Sequence, residues 1–179
     1  MALHRTRLGL ALLAMAVCAV PPSSAVGLDT PTVDDDTRRQ LTVVASTLVQ
    51  YRSQALVEKG RHDRRHVPTE ILGVEIAPRL ARVQERAARE LENRNRAPVE
   101  GGPAFTGART RLDAARAVRT GDRITLDAVE HTEVRYETGK VTQSVRRRFE
   151  FTAVGEAIIL TGERVVDPAA RPINDPDPR

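Results

Sequence analysis

Aromatic and sulfur side chains are scarce in this chain of 179 residues. It has no tryptophan, three phenylalanines, two tyrosines and a single cysteine, Cys18. So few aromatic rings leave little material for platforms that stack nucleic-acid bases or sugars. No serine stands in a Gly-x-Ser-x-Gly turn, and no glycine-rich loop joins a predicted strand to a helix. The common serine-hydrolase and nucleotide-binding motifs are therefore missing.

The first 25 residues have the pattern of a secretory signal peptide. Arg5 and Arg7 precede an apolar run over residues 8–20, and small residues that lead up to Ala25 predict a cut after it. A run of 13 residues is shorter than the roughly 20 that span a membrane. We therefore expect a secreted or extracytoplasmic protein with no stable membrane span after cleavage. A retained anchor and lipid attachment at Cys18 are the alternatives.

Cleavage would remove the only cysteine and two of the positive charges. Residues 26–179 contain 26 basic and 24 acidic side chains, so their formal charge is +2, against +4 for the whole chain. A domain without a thiol has no disulfide, no thiolate nucleophile and no cysteine zinc site. A nearly neutral domain with both signs interspersed is not expected to bind nucleic acid.

Two amphipathic helices are predicted in the N-terminal half. Thr37 and Gln40 have capping-box spacing before the first of them. Its apolar residues recur at helical spacing over residues 37–58 and are Leu41, Val44, Ala45, Leu48 and Ala55. The second helix is expected to start near Ala77, with a proline in its first turn. Its predicted apolar stripe consists of Leu80, Val83, Ala87 and Leu91.

From residue 105 the apolar period changes to two, which predicts strands. Four are expected, over residues 105–118, 123–136, 141–153 and 157–166. The predicted fold class is α+β, with two N-terminal helices packed on a curved four-stranded antiparallel sheet in the cystatin-like style. The predicted organisation is a signal peptide (1–25), a flexible leader (26–36), an α+β domain (37–166) and a Pro-rich tail or linker (167–179).

Charged side chains interrupt the apolar faces of the predicted strands. Glu130 and Arg147 each fall on the face that their strand otherwise fills with apolar residues, and Arg164 does so in the last strand. Tyr136 shares the face of Glu130. Burying such charges unpaired would be very costly, so these four residues predict a polar ligand pocket inside the sheet. The alternative, which the pattern favours, places the charges beyond the helices at the open end of the sheet.

The remaining polar motifs predict no catalytic residue, metal or cofactor. His62 and His66 are four residues apart, but two arginines between them oppose a cation. His131 follows Glu130 on the opposite face, so the two side chains are not expected to form an acid–base couple. The arginine run 146–148 alternates between two faces. It predicts either an exposed charged face or a contact with phosphate or teichoic acid.

Two strand segments resemble a known family. Residues 121–136, which read GDRITLDAVEHTEVRY, and residues 148–152 with 162–168 are similar to the N-terminal half of exported actinobacterial amidase-domain proteins. The resemblance covers residues 37–175 and implies helices before a small sheet, then a Pro-rich linker and a cysteine-dependent cell-wall amidase domain. No position here matches the Cys or His of that amidase domain. The resemblance therefore implies an accessory domain, as a standalone relative or a truncated reading frame.

These features predict an exported, non-catalytic accessory or binding domain that acts at the cell envelope. The expected partner is a cell-wall component or an amidase, and a homodimer that pairs through an open sheet edge is a further expectation. The alternative is a small cone-shaped ligand-binding protein or enzyme with a pocket lined by glutamate and arginine. Convergence of Glu130, Arg147 and Arg164 would favour that alternative.

Overall fold

The computed structural model describes residues 33–57, 66–94 and 102–176. The predicted signal peptide with Cys18, residues 26–32 of the leader, and His62 lie outside the described residues. Among the helices of the described ranges, none combines the length and the apolar composition that crossing a bilayer requires.

Helix α1 spans Asp35–Ala55, and all five residues of its predicted apolar stripe are buried. The predicted capping box is wrong, because the N-cap is Asp34, whose carboxylate accepts a hydrogen bond from the Thr37 backbone N–H at 2.8 Å. Aspartate caps a helix at least as well as threonine does, and its charge also favours the helix N-terminus. Gln40, the expected partner of Thr37, instead donates to the Leu72 carbonyl at 2.6 Å.

Helix α2 spans Pro78–Arg94 and confirms a helix that begins with proline. Its buried stripe differs from the predicted one, because Val83 is exposed and Gln84 is buried in its place. The side chain of Gln84 can turn inward because its amide finds a hydrogen-bond partner in the core, the Glu163 carboxylate. An apolar count along the helix does not detect such a residue.

The sheet has six strands and is mixed, so the predicted sheet of four antiparallel strands is incomplete. The strands are β1 (Glu70–Ile71), β2 (Val74–Ile76), β3 (Gly107–Thr120), β4 (Arg123–Tyr136), β5 (Gly139–Val154) and β6 (Ala157–Val165), in the order β1-β2-β6-β5-β4-β3. The predicted strands are β3 to β6, and β2 pairs with β6 in parallel. The additional strands are too short to show an alternating period. The cystatin-like arrangement is therefore not matched in detail.

The helices α1 and α2 cover one face of the sheet and enclose two apolar clusters with it. The larger cluster joins the N-terminal part of α1 to the strands around Phe149 and Phe151. The smaller one joins the C-terminal ends of both helices to Phe105 and Val134. The opposite face of β3 to β6 is covered by no described helix, and we call it the outer face.

Candidate functional site

A band of polar side chains separates the two apolar clusters. On the covered face of β4 the side chains are apolar up to Ala128, polar at Glu130 and Thr132, and apolar again at Val134. We call this the buried polar band; its members are Arg52, Ser53, Gln84, Thr110, Glu130, Thr132, Arg147, Glu163, Asn174 and Asp175.

Glu130 and Arg147 form an ion pair at the centre of the band. Each side chain is 1% exposed, and the Arg147 Nε donates to the Glu130 carboxylate. The favoured interpretation, that these charges lie at the open end of the sheet, is therefore wrong for both residues. The strand alternation does point them inward, and α1 covers them because its own polar residues face them.

Arg164 does not join them, because a β-bulge in β6 reverses the alternation. Glu150 pairs with Gly162 and Phe151 pairs with Leu160, so Thr161 has no opposite residue. The extra residue moves Glu163 to the covered face and Arg164 to the outer face. The Arg164 side chain is 57% exposed and lies 3.7 Å from the Glu150 carboxylate.

Glu163 connects the central pair to both helices. Its Oε1 atom accepts from Arg147 at 2.8 Å and from Arg52 of α1 at 2.6 Å. Its Oε2 atom accepts from the Gln84 amide of α2 at 2.9 Å. One carboxylate thus bonds three elements, which is the satisfaction that a buried charge requires.

The C-terminal segment, residues 171–176, closes the band. Asn174 is fully buried, and its amide donates to Ser53 Oγ at 3.0 Å and to the Glu130 carboxylate. The Asp175 Oδ1 atom accepts from Arg52 at 3.0 Å and from Arg147 at 2.9 Å. The Asp175 side chain is 21% exposed, so it stands at the mouth of the band.

Two side chains hold the backbone of this segment. Gln143 accepts from the Ile173 N–H at 2.8 Å and donates to the Arg171 carbonyl at 2.9 Å. Arg94 donates to the carbonyls of Ile173 and Asp175. The segment is therefore a bound part of the structure, in a stretch where the sequence predicts a tail or linker.

The electrostatics of the band favour its charged forms. Burial would raise the pKa of Asp175, but Arg52 and Arg147 outweigh burial and hold that pKa below its usual value. Burial opposes the charge on Arg147 as well, yet Glu163, Glu130 and Asp175 together raise its pKa above the normal arginine value. The band is thus an ionic network in which each charge depends on the others.

The structure brings together two of the four predicted site residues, Glu130 and Arg147. Tyr136 packs beside the smaller apolar cluster, where its ring centroid lies 5.4 Å from that of Phe105. Sequence reasoning missed the partners Arg52, Glu163, Asn174 and Asp175. Glu163 was missed because the bulge reverses the alternation of its strand. Asn174 and Asp175 were missed because they lie in a proline-rich stretch without a periodic pattern. Only Arg52 could have been detected in the sequence, as a charged residue among the apolar residues of α1.

The outer face of the sheet is strongly basic. It carries nine basic and four acidic side chains, which corresponds to a formal charge of +5. The basic residues are Arg109, Arg111, Arg116, Arg123, Arg135, Lys140, Arg146, Arg148 and Arg164, and the acidic ones are Asp113, Asp127, Glu133 and Glu150. The near-neutral total of the sequence therefore conceals an asymmetric distribution of charge.

The acidic side chains of the outer face are all paired. Arg148 binds both carboxylate oxygens of Asp127, at 2.7 and 3.0 Å. Hydrogen bonds from Lys140 and Arg135 hold the pKa of Glu133 below its usual value. Among the described residues of the outer face, four exposed arginines contact no carboxylate: Arg109, Arg116, Arg123 and Arg146.

A Ser-His-Asp arrangement lies on the outer face, and its histidine lines a shallow groove. His131 lies between Ser144, at 2.8 Å from Nδ1, and Asp113, at 3.1 Å from Nε2. The groove encloses about 350 Å³, and its lining includes His131 and the arginines Arg109, Arg111 and Arg135. Sequence reasoning missed this arrangement because its members lie on three different strands.

The arrangement lacks the other parts of an acyl-transfer site. An oxyanion hole needs N–H donors that converge on a point beside the nucleophile, whereas the backbone N–H groups of β4 and β5 lie in the plane of the sheet and the Ser144 side chain projects from it. The groove is also open to water. Among the described residues, no three His, Cys, Asp or Glu side chains converge as a metal site. The three arginines in its lining, Arg109, Arg111 and Arg135, give the groove a positive character.

Comparison with known proteins gives no family assignment. No family model matches the chain, and no curated protein matches it. The intermembrane-space region of the chloroplast protein ARC6 is similar over 75% of this chain and 98% of its own, with a TM-score of 0.40 and 12% identity. The β subunit of benzoate 1,2-dioxygenase from Burkholderia mallei is similar over 81% of this chain and 99% of its own, with a TM-score of 0.39 and 16% identity.

Proposed function

We propose that this chain is an exported, non-catalytic binding domain that acts at the cell envelope and binds an anionic wall component through its outer face. The observation that carries the proposal is that four exposed arginines without an acidic partner, Arg109, Arg116, Arg123 and Arg146, share one face of the sheet that also has a net charge of +5. Unpaired guanidinium groups on one face are suited to phosphate or carboxylate groups that repeat along a polymer.

The location rests on the sequence. The signal-peptide pattern supports a location of residues 26–179 outside the cytoplasmic membrane. The resemblance to the region that precedes a cell-wall amidase domain agrees with an accessory role, in which the basic face would hold an amidase partner near its wall substrate. An accessory domain needs affinity and no reacting group of its own.

Sedimentation with purified cell walls tests the proposal. The mature chain is mixed with walls that retain their phosphate-containing polymers and with walls from which these polymers have been extracted. We expect binding to the intact walls, a decrease on extraction, and a further decrease as salt screens the exposed charges. The triple variant Arg109→Ser, Arg116→Ser, Arg146→Ser should bind about tenfold more weakly, since each exposed contact contributes up to about 1 kcal/mol.

A matched control removes the same charge elsewhere. The exposed residues Arg79, Arg82 and Arg86 lie on α2, away from the outer face, and their triple replacement by serine changes the net charge equally. We expect this control to bind intact walls as the wild type does. Equal loss in both triple variants would show that net charge alone drives binding, and tight binding to duplex DNA at the same salt would favour a nucleic-acid ligand instead.

A second candidate function uses the interior. The charged band favours a small ligand-binding protein of the cystatin-like cone type, because it places ionic groups between two apolar clusters. Arg52 Nε and Gln84 Oε1 are buried there without a hydrogen-bond partner among the described residues. Such orphaned atoms are uncommon in a purely structural core. This candidate competes with the outer face for the binding role.

A homodimer through the free edge of β3 stays a prediction. The edge is 14 residues long, which offers a second copy many unpaired backbone groups. It also carries exposed arginines and a bulge between Ala114 and Arg116, and both features oppose strand addition. Light scattering on the purified chain distinguishes a dimer from a monomer.

A further inference from the structure

We infer that Arg52 and Arg147 form a binding site for an acidic peptide, and that Asp175 of the C-terminal segment occupies this site as an internal ligand. The site lies in the interior, so the inference is independent of the binding proposed for the outer face. It does deepen the second candidate function, because it names the class of ligand and the group that now fills the site.

Both arginines direct an N–H group at one point. The Arg52 Nη1 and Arg147 Nη2 atoms lie 3.0 and 2.9 Å from the same Oδ1 atom of Asp175. The arginine side chains are 6% and 1% exposed. Two buried guanidinium groups around one carboxylate oxygen form a strong, charge-assisted anion site.

The arginines do not depend on Asp175 for all their pairing. Arg147 also binds Glu130 and Glu163, and Arg52 also binds Glu163. Departure of Asp175 would therefore leave each cation with an acidic partner and a vacant donor. Asp175 is the most exposed of the five charged members of the band, so its departure would also open the route from solvent.

Asn174, which precedes Asp175 in the chain, indicates which kind of peptide would fit the arginine site. Asn174 donates to Ser53 Oγ at 3.0 Å and to Glu130, and it accepts from Arg147 at 3.3 Å. The segment thus presents an amide and a carboxylate on adjacent residues. An external ligand that reproduces both groups is a short peptide in which an acidic residue follows an amide side chain.

Competition with the tethered segment sets the apparent affinity. A ligand can enter only the fraction of molecules whose segment has left, so the apparent Kd of the wild type is the intrinsic Kd divided by that fraction. A variant that cannot fill the site with its own carboxylate should bind the external peptide more tightly.

Calorimetry with a synthetic peptide tests the inference. The probe has the sequence of residues 171–176, with both ends blocked so that its aspartate is its only carboxylate. We expect the full chain with Asp175→Ala to bind it about tenfold more tightly than the wild type, or better. A probe with alanine in place of aspartate should not bind. Asp167→Ala is the control, because Asp167 lies in the same tail outside the band, and it should behave as the wild type.

Hydrogen exchange on the wild type keeps the test decisive if the Asp175→Ala variant does not fold. Excess probe should displace the segment and accelerate exchange of the Ile173 amide, which now donates to Gln143. Unchanged exchange together with no calorimetric signal overturns the inference. Equal binding of the aspartate and alanine probes also overturns it, because the arginine pair would then not be the site.

Discussion

Three consecutive arginines show how position decides the role of a residue. Arg147 lies in the buried polar band, whereas Arg146 and Arg148 project from the outer face. Arg148 pairs with Asp127, and Arg146 contacts no carboxylate of the described ranges. Alternation along β5 separates Arg147 from Arg146 and Arg148, because neighbouring side chains of a strand point to opposite faces.

Replacing Arg147 by methionine should destabilise the protein strongly. The variant leaves Glu130 and Glu163 without their shared cation in a buried site. Breaking a buried pair in this way costs about 3–5 kcal/mol. The free energy of unfolding from urea denaturation at neutral pH measures the loss.

Arg148→Met is the matched control for this variant. The Arg148 side chain is 35% exposed and its partner Asp127 is 38% exposed, so solvent screens their pair. We expect a loss below about 1 kcal/mol. Similar losses for the two variants would contradict the assignment of Arg147 to a buried network.

The contribution of Asp175 should depend on pH in a defined direction. Its pKa is lowered in the folded protein, so folding favours the charged carboxylate. The stabilisation is complete above the unfolded pKa of about 3.9 and is lost as the pH falls through the lower folded value. The Asp175→Asn variant has no carboxylate at this position and therefore lacks this pH-dependent stabilisation. We therefore expect the difference in unfolding free energy between wild type and variant to be large at pH 7 and to shrink below about pH 4.

Denaturation at several pH values measures that difference. Arg52, Arg94 and Arg147 face Asp175 in both proteins, and Glu130 and Glu163 belong to the same network in both, so the comparison isolates the Asp175 carboxylate. A difference that stays constant from neutral to acidic pH would show that the Asp175 carboxylate is not held by the arginines.

At the scale of elements, the bulge in β6 determines which charge enters the interior. Thr161 is the extra residue, and it places Glu163 beside Arg52 and Arg147. If Thr161 were paired and the strand had no bulge, regular alternation from Leu160 would direct Glu163 outward and Arg164 inward. A third cation beside two arginines would then replace the carboxylate that bridges them.

Deletion of Thr161 should therefore remove the bulge and keep Glu163 in the interior. The shortened strand alternates regularly from Leu160 through Gly162 to Glu163, so we expect a loss smaller than the ~3–5 kcal/mol of a broken buried pair. Thr161→Ala keeps the bulge and removes only the hydroxyl bond to the Glu150 carbonyl. That variant should lose about 1 kcal/mol or less. Thermal unfolding compares the two, and a deletion that costs as much as a broken buried pair would contradict the register assigned to Glu163.

At the scale of the whole molecule, the two faces of the sheet use charge differently. The covered face places acids and arginines in mutual contact, so each buried charge has a partner of opposite sign. The outer face carries an excess of five positive charges in water, where unpaired arginines cost little. The buried ion pairs therefore hold the helices, the sheet and the C-terminal segment together, and the exposed arginines of the outer face are available for an anionic partner.

The purified mature chain should not hydrolyse peptidoglycan fragments, small amides or small esters. Glu130 is buried and bonded to Arg147, Thr132 and Asn174, so it has no access to substrate. Ser144 lies beside His131 but without a nearby oxyanion hole. Product analysis with the wild type, Glu130→Gln and Ser144→Ala tests this. Reproducible turnover that either substitution abolishes would contradict the non-catalytic proposal.

Strong periodic segments allowed much of the fold to be predicted. The strand Arg123–Tyr136 has the predicted bounds, and α2 begins at the predicted proline. Glu130 and Arg147 were also correctly assigned to the apolar face of their strands, although the favoured position, beyond the helices, was wrong. The strands β1 and β2 were missed because two or three residues show no period. Gln84 was missed because its burial depends on a partner that is distant in sequence.

The sequence by itself determined the α+β class, the two helices, the four long strands and the inward direction of Glu130 and Arg147. Each depends on local periodicity, which a linear chain displays. Only the tertiary structure decided the partners of that pair, because Arg52, Glu163 and Asp175 come from separate elements. The scarcity of cysteine and aromatic residues excluded some chemistries. The balance between inner and outer charge depended on a single inserted residue in β6 and on a docked C-terminal segment, neither of which has a periodic signal.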